Sequence, residues 1–122
     1  TEALRETGMP FHELKLEEQI KKSSVIALAK YEPSPDGKMK AVIKEFLKKE
    51  SGVTLYYNIG DEYPSSRYYP KANTSYGDGL VIFFTGSPAT MKMSMSYDGD
   101  RIRGLGDLPV ELLKKKCKEP NA

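Results

Sequence analysis

Apolar positions recur along the chain with two different periods, and the change from one to the other marks out its elements. In residues 13–22, Leu14, Leu16 and Ile20 fall among Glu and Lys, and Glu17 and Glu18 precede Lys21 and Lys22 by four positions, the favoured order for helical ion pairs. A short helix is expected there. Residues 25–31, VIALAKY, are β-branched and apolar and suit a buried strand. The following EPSPDG holds two prolines and an Asp-Gly pair, a strong signal for chain reversal.

Residues 38–49 carry both periods. Met39, Val42, Ile43, Phe46 and Leu47 fit the template of an amphipathic helix, and Asp36 could cap it. Context favours a strand, because the preceding turn makes a hairpin and residues 53–59 alternate as a third strand with Val53, Leu55, Tyr57 and Ile59 on one face. A long strand with a bulge near Glu45 can also bury residues from both faces, and the strand is the reading adopted.

Residues 60–79 read as a long loop rich in Pro, Gly, Ser and Tyr, a length at which structureless loops are often functional. Residues 80–85, LVIFFT, form an apolar run expected to be a strand buried on both faces. Met91, Met93, Met95 and Tyr97 alternate with polar residues as a half-buried strand, Asp98-Gly99 signals a hairpin, and Arg101, Ile102 and Arg103 return as a short partner. Pro109 is expected in the first turn of a final helix, with Val110, Leu112 and Leu113 inward and Lys114, Lys115 and Lys116 near its C-terminal dipole. Residues 1–12 read as a flexible arm, 13–118 as one domain, and 119–122 as a frayed end. The expected fold is mainly β (α+β): a five- or six-stranded antiparallel, closed or partly open OB-like barrel with N- and C-terminal helices.

With 122 residues the chain suits one core and not two. Its 39% hydrophobic and 30% charged composition is that of a globule, and no apolar run approaches the roughly 20 residues of a membrane-spanning helix. A formal charge of +2 gives little general attraction to nucleic acid, which is an unlikely partner on this ground. Cys117 is the only cysteine, so the fold relies on its core and not on an internal disulfide. The first residue is Thr1, which points to a processed chain or a piece of a longer one. A lipid anchor upstream of it is compatible with that reading.

Several patterns in these residues resemble the netrin-like or TIMP-like OB module. They are EEQIKKSSVIALAKY, the turn and KMKAVIKEFLKK, then VTLYYNI, GLVIFF, MKMSMSY and the terminal LPVELLKKKC. The resemblance covers residues 16–117. It implies a helix before the first strand, a second strand ending at Glu45-Phe46-Leu47-Lys48, and a C-terminal helix on the barrel. A periplasmic, cell-surface or extracellular address is expected, and a chain with a single cysteine fits a cytosolic one as well. TIMP-type inhibition rests on an N-terminal cysteine and several disulfides. Thr1 and a lone Cys117 leave that mechanism nothing to act through, so shared fold need not mean shared activity.

Catalytic chemistry is thinly represented, and no enzyme and no cofactor are expected. His12 is the single histidine, and a base with no nearby nucleophile makes no triad. Cys117 lies among lysines that could favour thiolate, although packing against the body is the preferred reading. Asp61, Glu62 and Asp78 read as turn and capping residues. Gly77-x-Gly79 lacks the further glycine of a phosphate loop, and Asn73-Thr74-Ser75 is formally a glycosylation acceptor. The most suggestive group is aromatic: Tyr63, Arg67, Tyr68, Tyr69, Lys71 and Tyr76 in the long loop, with Tyr56 and Tyr57 in the strand leading into it; all but Tyr56 are expected contacts. Tyrosine and arginine dominate protein interfaces, and aromatics with cations also stack on single-stranded nucleic acid. The expected function is a non-enzymatic interaction module whose loop, residues 61–79, contacts an unknown protein partner. The alternative is single-stranded nucleic acid or oligosaccharide bound through the same tyrosines.

Overall fold

The structure, a computed structural model, describes residues 10–69 and 77–118, with only the backbone described at 64–68. The turn signal at 32–37 acts as read. Gly37 adopts φ +84°, Ser34 N donates to Lys38 O at 2.8 Å, and Asp36 Oδ1 accepts from Lys38 N at 3.0 Å. On either side lie β1 (Val25–Pro33) and β2 (Met39–Lys49), paired antiparallel, so the ambiguous middle segment is a strand.

The register explains the ambiguity. Ala29 faces Ile43, Leu28 faces Glu45, Ala27 faces Phe46 and Ile26 faces Lys48, which leaves Lys44 and Leu47 as bulge residues. Each inserted residue restarts the alternation, so Ile43 and Phe46 share a face at a spacing of three. Two bulges thereby reproduce the apolar spacing of a helix, and one of them lies beside Glu45 as expected.

The remaining strands are β3 (Glu62–Tyr68), β4 (Gly79–Thr85), β5 (Thr90–Asp98), β6 (Arg101–Ile102) and β7 (Leu108–Pro109). They form one antiparallel sheet in the order β3-β2-β1-β4-β5-β6-β7. Its β4-β1-β2-β3 part has the spatial order of a Greek key. The sheet is open, with β3 and β7 at its ends, and it has seven strands where five or six were expected. The difference has two sources. Residues 53–59 form no ladder, and their place beside β2 is taken by residues 62–68 of the expected loop. Leu108 and Pro109, expected inside the helix, instead pair with Ile102 and Arg101 as β7.

Two helices, α1 (Leu16–Lys22) and α2 (Val110–Lys118), lie on one side of the sheet. Their Ile20, Val110 and Leu113 join Ile26, Leu47, Val81, Phe83, Met93, Tyr97 and Ile102 in one core. Lys48 Nζ donates to Ile20 O at 2.6 Å, which satisfies a terminal carbonyl of α1. Lys114 of α2 pairs with Glu45 at 2.9 Å. Leu112, expected inward, is exposed. A register shift beside Phe84 places Met91 opposite Phe84 and exposes it, while Met93 stays buried opposite Phe83.

Residues 11–12 were expected in the free arm, yet they belong to a short 3-10 turn, Phe11–Glu13. The Phe11 ring meets Phe83 edge-on with centroids 6.1 Å apart. Fully burying a phenylalanine contributes about 1.5–3 kcal/mol, and less when it is half-buried. Beneath the turn, Gln19 is buried with no partner for its Oε1 among the described residues. An unsatisfied buried carbonyl of this kind costs about 1–3 kcal/mol.

Candidate functional site

The opposite side of the sheet mixes alanines with larger apolar side chains. Val25, Ala27, Ala29, Ala41, Ile43, Ile82, Phe84 and Ala89 make a second core, and no helix covers it among the described residues. Residues 53–59 cover it as a strap without ladder pairing, bent at Tyr56 and pinned at both ends. At one end Thr54 N donates to Ser87 Oγ at 3.0 Å and Thr54 O accepts from Ala89 N at 2.8 Å. At the other, Gly60 N donates to Ile43 O at 2.8 Å, and Asp61 Oδ2 accepts from Asn58 N at 2.8 Å. The strap keeps the alternation read from its sequence. Val53, Leu55 and Tyr57 pack on the second core and Tyr56 faces out. Alanines on β1 and β2 leave room for it, which is why the segment lies over the sheet instead of within it.

The tyrosines separate accordingly. The Tyr57 ring lies 5.7 Å from Tyr63 and 6.1 Å from Phe84, and Tyr63 meets Phe84 edge-on at 6.4 Å. Tyr63 is 7% exposed, and its hydroxyl is held above the ordinary tyrosine range by burial, with Tyr57 adding to the shift. Tyr69 is 60% exposed, with Lys38 Nζ over its ring at 4.9 Å. Arg67 and Tyr68 lie on β3, where Tyr68 is opposite Met39, and their side chains are not described. Lys71 and Tyr76, like the Asn73 acceptor, fall outside the described residues.

Two exposed residues were not among the expected contacts. Tyr56 is 71% exposed, and Ile59, expected inward, is 61% exposed because it precedes the turn at Gly60 and no longer follows the strap. Tyr56 belongs to the aromatic group read from the sequence and takes the outward phase of 53–59. Ile59 could not be found, since its phase pointed the wrong way. Nearby on the β1–β2 hairpin, Lys44 bonds Glu32 and holds that exposed carboxyl below the usual range, with Lys40 and Lys30 contributing.

The other candidate chemistry is absorbed by structure. Asp61 closes the strap turn, and Asp78 Oδ2 accepts from Gly99 N at 2.6 Å, fixing the β5–β6 turn. Replacing Asp78 with alanine should lower stability by about 1 kcal/mol, read as a lower urea midpoint at unchanged slope. Gly77 and Gly79 approach Tyr97 closely. Among the described residues, no three His, Cys, Asp or Glu converge as a metal site, and no helix is long and apolar enough to cross a membrane.

Cys117 packs against the helix-side core, and burial pushes its thiol from the ordinary 9.0 up to about 11, with Lys48 pulling back. A rise of two units leaves about a hundredfold less thiolate at pH 8 than an ordinary thiol, so alkylation should be slower by that factor until urea unfolds the chain. Tyr63 and Tyr97 are shifted up as well, both chiefly by burial. All three acids keep their protons longer when folded. Their contribution to stability should therefore be flat below about pH 8 and fall as pH rises from 9 towards 11, where the unfolded chain binds fewer protons. Denaturation midpoints at pH 8 and 10.5 check this, and Cys117→Ala should make the fall shallower.

Comparison with family models, with curated proteins and with solved structures returns no match for this chain.

Proposed function

We propose that the chain is a non-enzymatic protein-interaction module of netrin-like, partly open OB-like architecture, contacting its partner through the side where the strap and β3 lie. The observation that carries the reading is the outward set Tyr56, Ile59 and Tyr69, large apolar side chains kept in water beside a core that had room for Tyr57 and Tyr63. Rigid aromatic rings contribute contact area at low entropy cost, and exposed ones are characteristic interface anchors. The Greek-key order β4-β1-β2-β3 supports the OB-like part. Export to the periplasm, the cell surface or the medium, with or without a lipid anchor, belongs to the same proposal. The codons upstream of Thr1 decide it.

A photo-crosslinking residue at position 69 should yield a defined protein adduct from cells of the host, and the same residue at Glu111 on the exposed face of α2 should not. Tyr56→Ala with Tyr69→Ala should weaken capture at least tenfold, about 1.4 kcal/mol, without lowering the urea midpoint. Equal adducts at both positions, or none, contradict the proposal.

A second reading has one observation in its favour. Lys38 over the Tyr69 ring combines cation and aromatic as a stacking platform for single-stranded nucleic acid does. Such binding should fall steeply between 50 and 200 mM salt in the way phosphate contacts do. An apolar protein contact should barely respond.

A further inference from the structure

The Phe11–Glu13 turn packs on the helix-side core and lies against β5. Its ring contacts Phe83, and Gln19 Nε2 donates to Phe11 O at 3.1 Å. The same Nε2 lies 3.7 Å from Met93 Sδ, so Gln19 is wedged between the turn and β5. The link onward to α1 is extended at Leu14 and at Lys15, with ψ 155° and 151°, and so can swing without unwinding a helix. The Phe11 ring is partly buried by this packing, and Gln19, bonded to the turn through Nε2, has its Oε1 buried with no partner among the described residues. These two contributions oppose each other and are of similar size.

We propose that the Phe11 turn is a displaceable cover over the Gln19–Met93 end of this core, lifting while the sheet stays folded. When it lifts, the apolar contact with Phe83 is lost and Gln19 Oε1 is hydrated, so the opening equilibrium lies far below that of global unfolding. The opened state brings the Met93 sulfur, buried when the turn is down, to solvent. The cover is a conformational device independent of the interaction surface across the sheet.

Hydrogen peroxide reads the opening directly, since each event moves one oxygen onto a methionine sulfur and releases water. Met91, exposed on the same strand, serves as the internal reference. In the unaltered chain, Met93 oxidation should rise only shallowly with sub-denaturing urea, because little surface is exposed on opening. Phe11→Ala should speed it roughly tenfold or more with Met91 and the urea midpoint nearly unchanged, a shift equivalent to about 1.4 kcal/mol. Gln19→Leu removes the orphaned carbonyl, while Phe11 O keeps Leu14 N as a donor, and it should slow Met93 oxidation severalfold. The proposal is overturned if Met93 oxidation follows urea with the full slope of global unfolding. It is also overturned if Phe11→Ala leaves the rate unchanged or unfolds the chain, or if Gln19→Leu fails to slow it.

Discussion

Gly79→Ala should cost roughly 3 kcal/mol or more, a large share of the 5–15 kcal/mol that holds a domain of this size together. The position is the first residue of β4, opposite Lys30 in the central β1–β4 ladder. A Cβ there would collide with Ala29 O and stand 2.7 Å from the Tyr97 hydroxyl. The first contact is with backbone in the middle of the sheet, so relief requires moving β1 itself. The second is with a ring lying across the glycine, a stacking that only a missing side chain allows. Thermal or urea denaturation measures the loss. Gly99→Ala is the control, since nothing lies within 4 Å of its added Cβ and only its φ of +61° resists.

Tyr63→Ala and Tyr69→Ala should differ more than any other pair of like substitutions in the chain. The two tyrosines lie six residues apart at either end of β3, in what reads from sequence as one loop. Truncating Tyr63 removes a buried ring that meets both Tyr57 and Phe84 and is expected to cost about 3–5 kcal/mol. Truncating Tyr69 removes a ring in water and one exposed cation contact, and should stay within about 0.5 kcal/mol. Loss of partner binding should follow the opposite order once Tyr63 variants are compared at matched folded fraction.

Much of the sheet is legible in the residues. The hairpin of β1 and β2 follows from Pro-Asp-Gly chemistry at its tip, and β4 and β5 from a continuous apolar run and a clean alternation. The bulged strand was readable only through context, because Lys44 and Leu47 shift the phase so that Ile43 and Phe46 mimic a helix. The strap misleads for a different reason. Val53, Leu55 and Tyr57 do alternate, but alternation reports that one side is buried and not that the backbone is paired. What sends the segment over the sheet is tertiary: alanines at 27, 29 and 41 beneath it, and Ser87, Ala89 and Ile43 bonding its ends.

The candidate site was legible only in kind. Tyrosine-rich composition between residues 56 and 76 singles out a region, but one sequence cannot say which ring turns inward. Tyr57 and Tyr63 are drawn in by Phe84, which lies more than twenty residues further along the chain. Tyr97 and the Cys117 thiol follow the same logic, since burial by distant elements decides their chemistry over the charges beside them in sequence.

Nuclear Overhauser contacts across residues 53–59 address the central claim, that an unpaired strap and not a third strand covers the alanine-lined face. The account predicts ring-to-ring contacts from Tyr57 to Phe84 and Tyr63, none between strap and β2 α-protons in a ladder, and rapid amide exchange at Leu55, Tyr56 and Tyr57. A regular ladder of α-proton contacts between residues 53–59 and β2, with those amides protected, would contradict it.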